Sequence, residues 1–327
     1  MYISKKALPN AFLIAIFLMI AVFVRNGQPQ DAYPTRPVTV VVPWGPGQSD
    51  TITRIICKAA EKELSQPIIV ENKPGASGTI GANYVFKSRP DGYTLGVIVT
   101  NAYLIAPHMQ NVPYHPLTDS VDITTIIKTN LGFAVKANAP WNTFKEVITY
   151  AKNNPGKFTY ACAGVGVLQH ITMERVAMKE GVKWTLVPFK SGGEAAIACL
   201  GGHTDAVAQA GVDVSPHVKA GKLKLLLTLG DKRWPVSPNA PTILEAGYDF
   251  FVPFFMALSA PKGVPESIIK KLENVFNKAK GDPSFIETME KFQVEVGDLS
   301  GKGYSDLWKS KYDEMGKVIK ALGLQEK

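Results

Sequence analysis

At 327 residues the chain exceeds a usual single domain and suits two, and with 46% apolar and 20% charged residues its composition is that of a folded chain rather than a disordered one. The formal net charge is +8, but Lys5, Lys6 and Arg25 fall within the first thirty residues, which hold no acid, leaving +5 for the remainder. The basic residues of the remainder are scattered among acids rather than clustered with aromatics, so nucleic-acid binding has little footing and only a mild preference for anionic solutes follows.

Lys5 and Lys6 precede an apolar stretch from Ala7 to Val24, interrupted by Pro9 and Asn10, which reads as the basic and hydrophobic parts of an export signal. No small-x-small pattern closes the run and no cysteine directly follows it, so neither a cleavage site nor a lipid anchor is marked. Residues 1–30 are assigned to a signal peptide or an uncleaved N-terminal anchor. The run is short for a membrane span of ~20 residues, which favours the signal and a periplasmic or extracytoplasmic location.

Val38–Val42 is a continuous β-branched run, Thr51–Leu64 has helical spacing and Pro67–Glu71 is a second short apolar run, the pattern of a βαβ unit. Two glycine-rich loops each follow a strand-like run and precede a helical one: Pro43-Trp44-Gly45-Pro46-Gly47-Gln48-Ser49-Asp50 and Asn72-Lys73-Pro74-Gly75-Ala76-Ser77-Gly78-Thr79. They read as anion cradles, because glycine admits close backbone approach and the first helical turn leaves N–H groups without an internal partner. Trp44, Gly45, Pro46, Gln48 and Ser49 are the contact candidates of the first loop, with Trp44 either walling the pocket or packing the loop on the sheet. Asp50 is assigned to the scaffold near the helix N-cap, since an ionised carboxylate repels an anion. Ser77, Gly78 and Thr79 combine close approach with donors. Arg89-Pro90-Asp91-Gly92 makes a turn, Tyr93–Val99 a buried strand, and Thr100 and Asn101 follow at its carboxyl edge, either as ligand contacts or as an ordinary helix cap.

A second α/β unit begins near Phe133–Val135 and continues with a helix at Thr143–Asn153, a strand at Phe158–Ala161, a helix at His170–Glu180 and strands at Trp184–Pro188, Ala206–Ala208 and Leu223–Leu229. Val165, Gly166 and Val167 precede a helix; Lys190, Ser191 and Gly192 form another turn, and Gln209 ends a strand. Lys190 reads either as a carboxylate partner or as a solvated loop charge. Pro265–Ala279, Pro283–Phe292 and Tyr304–Leu322 read as C-terminal helices. Alternating strands and helices imply mainly parallel sheets covered on both faces, an α/β fold.

Cys57, Cys162 and Cys199 cannot all pair internally; Cys162 and Cys199 read either as a bridge or as small apolar core residues. The five histidines lack the spacing of paired metal ligands, and there is no His-Glu-x-x-His, no Gly-x-Ser-x-Gly and no phosphate-binding Gly-x-x-x-x-Gly-Lys-Ser/Thr run. No metal, cofactor or catalytic residue is therefore expected.

From Tyr33 onward the chain carries an ordered set of landmarks: Tyr33-Pro34-Thr35-Arg36-Pro37, Gln66-Pro67-Ile68-Ile69-Val70-Glu71-Asn72-Lys73-Pro74-Gly75, Arg89-Pro90-Asp91-Gly92-Tyr93, Asn154-Pro155-Gly156-Lys157-Phe158, Val187-Pro188-Phe189-Lys190-Ser191-Gly192-Gly193 and Pro241-Thr242-Ile243-Leu244-Glu245-Ala246-Gly247. Together they resemble the substrate-binding receptors of tripartite tricarboxylate transporters, the Bug-type periplasmic binding proteins. The resemblance implies a two-domain periplasmic-binding-protein fold of type II-like form, with a cleft between the domains that closes on a small organic carboxylate and hands it to membrane permease subunits. It further implies a discontinuous first domain, residues 31–133 plus 254–327, a second domain at 134–253, and hinge crossings near Lys128–Val135 and Val252–Ala257. The first loop departs from the family in its shorter glycine run, and Val167 stands where relatives often place a hydroxyl residue. A ligand-binding component of a signalling system and a secreted cofactor-free α/β enzyme are the alternatives. A monomer is expected, with one ligand carboxylate on the first-domain loops and an apolar, aromatic or weakly polar far end facing Val165, Val167 and Leu168.

Overall fold

The computed structural model describes residues 33–325, so the expectations for residues 1–30 lie outside the described residues. Two mixed sheets organise the chain. The first has the strand order Glu295–Val296, Ser120–Thr129, Phe254–Pro261, Thr94–Val99, Val38–Val42, Ile68–Asn72, and the second the order Thr185–Pro188, Thr159–Cys162, Ala206–Ala210, Leu131–Lys136, Leu223–Thr228. In the first half, β1 (Val38–Val42), α1 (Gln48–Leu64), β2 (Ile68–Asn72), α2 (Thr79–Phe86) and β3 (Thr94–Val99) form a parallel unit. A π-helical turn at Asn101–Ile105 and a short α3 (Ala106–Met109) follow it. Helix α1 buries Ile52, Ile56, Ala59, Ala60 and Leu64, the one-sided stripe that its spacing dictates, and ends where Ser65 turns left-handed.

Strand β4 (Ser120–Thr129) runs straight on through Asn130 into β5 (Leu131–Lys136), so one nearly continuous extended segment serves both sheets. The second sheet is completed by α4 (Phe144–Asn153), β6 (Thr159–Cys162), α5 (Leu168–Glu180), β7 (Thr185–Pro188), α6 (Gly192–Gly201), β8 (Ala206–Ala210), α7 (Gly211–Lys219) and β9 (Leu223–Thr228). The chain then returns through β10 (Phe254–Pro261), α8 (Glu266–Ala279), α9 (Pro283–Phe292), β11 (Glu295–Val296) and α10 (Gly301–Ala321), which pack on the first sheet and on α1.

The sheets are less purely parallel than the strand and helix alternation suggests. Strand β10 is antiparallel to β3 and β4, and β5 is antiparallel to β8 and β9. The reason is topological: a strand that enters a sheet from the edge where its neighbours end must run against them. Strand β4 escaped the sequence reading because Asp122, Thr124 and Thr125 interrupt its apolar character. All three are buried with their oxygens satisfied: Asp122 accepts from Tyr103, Ser259 and Ser305, while Thr124 donates to Asn277 at 2.8 Å and Thr125 to the Leu299 carbonyl at 3.0 Å.

One apolar cluster runs through both sheets, from Val38 and Ile52 to Phe133, Phe158 and Trp308. A smaller one, with Val207, Leu225 and Trp234, covers the other face of the second sheet. Cys57, Cys162 and Cys199 are all buried free thiols, so the core reading holds and no Cys162–Cys199 bridge forms.

Candidate ligand-binding cleft

Strands β1, β2 and β3 are parallel, so their carboxyl ends share one edge and the loops that follow them converge there. A Cβ on Gly78 would lie 3.5 Å from Pro43 and 3.7 Å from Val99, which places the second glycine loop against the ends of β1 and β3. Ala76, Ser77 and Gly78 all have positive φ, forming a tight left-handed turn in which the Gly78 N–H bonds the Gly75 carbonyl at 3.0 Å. The first loop is pinned by Asn72. Its amide nitrogen donates to the Trp44 carbonyl at 2.7 Å and to Asp50 Oδ1 at 2.9 Å, while Arg54 Nε donates to both Asp50 oxygens at 3.0 Å. Burial opposes the Asp50 charge, but the hydrogen bonds from Arg54 and Asn72 outweigh it and hold the carboxyl below its ordinary range.

In the second lobe β6, β7 and β8 are likewise parallel, and Gly164–Val167, Lys190–Gly193 and Gln209–Asp213 follow their carboxyl ends. Gly164 and Gly166 take positive φ, and the Gly166 N–H donates to His170 Nδ1 at 3.0 Å. His170 is buried, and desolvation lowers its pKa against the opposing pull of Glu174, so the ring is a neutral acceptor at that nitrogen. Beside it, Gln169 Nε2 donates to Gln209 Oε1, which also accepts the Ala210 N–H at 3.1 Å.

The two edges face each other. Any side chain at Gly166 would meet Met109 Sδ at 2.5 Å, and Gly211 lies near the carbonyls of Asn130 and Gln293. Further along, Arg175 of α5 pairs with Glu314 of α10 at 2.8 Å, its guanidinium 4.1 Å above the Phe250 ring. At these edges α1, α2, α5 and α7 begin at Gly47, Gly78, Val167 and Ala210 with no side-chain cap, as does α8 elsewhere at Pro265, whereas α6 at the same edge is capped by Ser191, and α4, α9 and α10 by Thr143, Asp282 and Ser300. Two polar side-chain atoms near the same loops, Gln48 Nε2 and Asn101 Oδ1, are buried with no hydrogen-bond partner among the described residues. Uncapped N-termini and the orphaned Gln48 donor suit an anionic ligand, while Asn101 Oδ1 is an acceptor that calls for a donor. Cavities of about 630 Å³ beside Lys152 and Tyr248 and about 360 Å³ beside Asp122 and Lys309 lie away from the glycine loops.

The family model described as tripartite tricarboxylate transporter family receptor matches residues 52–324. The chain belongs to this family. A relative from Cupriavidus necator, named only as a UPF0065 protein in the gbd 5' region, is 37% identical over 295 residues, 90% of each chain. Among solved structures, the periplasmic binding protein BugD superposes with a TM-score of 0.75 at 29% identity, covering 90% of this receptor and 100% of that chain. MatC from Rhodopseudomonas palustris, solved with bound malate, has a TM-score of 0.75 at 28% identity, covering 88% and 100%. The fold is thus that of the periplasmic solute-binding proteins.

Within the receptor the candidate residues divide by what their polar atoms already do. Trp44, Gly45, Gln48, Ser49 and Asn101 are half-buried, Pro46 and Ser77 exposed, and Gly78 buried, all on the first-lobe loops. The helix begins at Gln48, so Gly47 is its N-cap and Ser49 lies in its first turn. Thr79 donates to the Ala76 carbonyl at 2.9 Å and keeps only acceptor capacity. Thr100, expected as a contact, is fully buried; its hydroxyl donates to the Pro253 carbonyl at 3.1 Å and accepts the Phe255 N–H at 3.0 Å, tying β3 to the returning strand. Ser191 likewise serves as the N-cap of α6, accepting the Glu194 N–H at 3.2 Å, while Glu194 reaches back to the Lys190 N–H. Lys190 is exposed, Gly192 half-buried, and Gln209 is 2% exposed with its carbonyl engaged. Val165 is 55% exposed, and Gly166 and Val167 are half-buried at the facing edge. The sequence reading missed Asn72 as the loop's anchor, Met109, His170 and Asp213. A Ser-x-x-Glu capping box at 191–194 was the signal available for Ser191; nothing local marks the others.

Proposed function

We propose that this protein is an extracytoplasmic receptor that holds a small organic carboxylate between two lobes and delivers it to the permease subunits of a tripartite tricarboxylate-type transporter. The observation that carries this reading is the convergence of uncapped N-termini, α1 and α2 from one lobe and α5 from the other, on two edges that face each other. Backbone N–H groups there, with the Gln48 amide nitrogen, supply donors for a carboxylate without a metal or a cationic side chain. The malate held by MatC supports the ligand class, and family membership supports the permease partner. In this reading residues 31–133 and 254–327 form one domain and 134–253 the other, with the hinge at the β4–β5 crossing and before β10. No helix among the described residues is long and apolar enough to cross a membrane, and residues 1–30 act as the export signal.

Mass spectrometry of small molecules released from the purified protein, followed by calorimetric titration of the molecule found, tests the reading. A carboxylate bound at one site per chain is expected. Release of a ligand without an acidic group, or turnover of the bound acid, would sink it.

A further inference from the structure

The second-lobe edge holds a carboxylate that no other group among the described residues engages. Asp213 lies in the first turn of α7, directly after β8, and is half-buried. Its oxygens have neither a hydrogen-bond nor an ion-pair partner among the described residues. Other buried carboxylates here are provided for: Asp50 by Arg54 and Asn72, Asp122 by three hydroxyls. Burial alone pushes the Asp213 carboxyl up to about 6, with no neighbouring charge acting on it.

The surroundings of Asp213 are built rather than incidental. A Cβ at Gly192 would collide with Asp213 Oδ2 and with Gln209 Nε2, so the glycine leaves room for both atoms beside the start of α6. Gln209 is fixed in place because its carbonyl oxygen already accepts from Gln169 and from the Ala210 N–H. The amide nitrogen therefore faces Gly192 next to the acid. This group sits on the edge that meets the first lobe through Gly166 and Met109. An ionised acceptor at that place attracts a donor and repels a second carboxylate, and leaving it unpaired on burial is unfavourable.

We propose that Asp213, held beside Gln209, makes the receptor select organic carboxylates that carry a hydrogen-bond donor, a hydroxyl or an ammonium, on the end entering the second lobe, and disfavour those with a second carboxylate there. The inference deepens the receptor reading above and rests on it. It replaces the apolar far end expected from Val165, Val167 and Leu168 with a polar one.

Calorimetric titration at pH 7.5 with ω-unsubstituted, ω-hydroxy, ω-amino and ω-carboxy linear acids of two to six carbons tests it, using the wild type, Asp213→Ala and Asp213→Asn. The best hydroxy or amino acid should bind wild type about tenfold or more tighter than its unsubstituted and dicarboxylic counterparts. Asp213→Ala should erase that preference while leaving the unsubstituted acid within about threefold and the melting temperature no lower. Asp213→Asn, which keeps an acceptor without the charge, should lose more affinity for the amino acid than for the hydroxy acid, separating the two donors. Wild type that prefers the dicarboxylate, or a preference that survives in Asp213→Ala, overturns the proposal. If the acids bind wild type with no such ranking, the donor inference fails and the carboxylate reading stands; if none binds, both fail.

Discussion

Gly78 and His170 show how single residues shape the two halves of the candidate site. Gly78 takes φ of 94°, where a β-branched side chain is strained even though the space around it is ordinary van der Waals distance. Gly78→Val should cost about 1–2 kcal/mol of stability and weaken ligand binding more than Ser49→Ala, whose hydroxyl has no partner among the described residues. Titration calorimetry on folded variants ranks them, and equal losses would move the site elsewhere. His170 accepts from the Gly166 N–H only while neutral, and burial holds its folded pKa below the ordinary value of about 6.5. The unfolded chain therefore takes up this proton first as pH falls, so its contribution to stability is complete above about 6.5 and declines below it. Asp213 has the opposite sign: its folded pKa is raised, so stability is lost as pH rises through about 6. Melting curves between pH 4 and 8 should show His170→Gln flattening the acid limb and Asp213→Asn raising stability by an amount that grows from about pH 4 to about pH 6 and is constant above it. Parallel curves for wild type and variants would refute both assignments.

Among the elements, the short link between β2 and the first glycine loop carries more than its size suggests. Asn72, the last residue of β2, joins the Trp44 carbonyl, Asp50 and Arg54 Nη2 through hydrogen bonds of 2.7–2.9 Å. Because Gly47 offers α1 no side-chain cap, this network rather than the helix N-cap holds the loop. Asn72→Ala removes a partly buried hub and should destabilise the protein by about 1–3 kcal/mol, with weaker ligand binding. Urea unfolding with calorimetry checks it; unchanged affinity in the variant would show that the loop keeps its shape without Asn72.

On the scale of the whole molecule, the lobes touch away from the glycine loops through Arg175 and Glu314, and Lys128 of β4 pairs with Asp231 at 2.8 Å beside the crossing. Burial works against the Glu314 charge, but hydrogen bonds from Lys311 and Arg175 bring its pKa below the ordinary value. The pair is 19% and 37% exposed, so its worth is near the upper end for partly screened ion pairs, about 1 kcal/mol. Arg175→Ala should therefore shift the open–closed balance by about fivefold toward open. Small-angle scattering should show a larger radius for ligand-free Arg175→Ala than for wild type, and compaction of both on saturation with ligand. An unchanged radius throughout would argue against hinge closure.

The sequence by itself determined the elements whose signal is local. The β-branched run Val38–Val42, the one-sided stripe of α1, Pro283–Phe292 and both glycine loops stand where periodicity and backbone freedom put them. The ordered landmarks were also enough to point to the receptor family. Only the tertiary structure decided which polar atoms remain for a ligand, because their partners are remote in the chain. Thr100 is answered by Pro253, 153 residues away, and Asp122 by Ser305, 183 away. The same holds for β4, whose threonines read as polar until Leu299 and Asn277 arrive to satisfy them, and for Asp213, whose isolation exists only because Gly192 and Gln209 fold around it. A side chain's type is written in sequence, but whether its hydrogen bonds are already satisfied depends on neighbours that folding brings together.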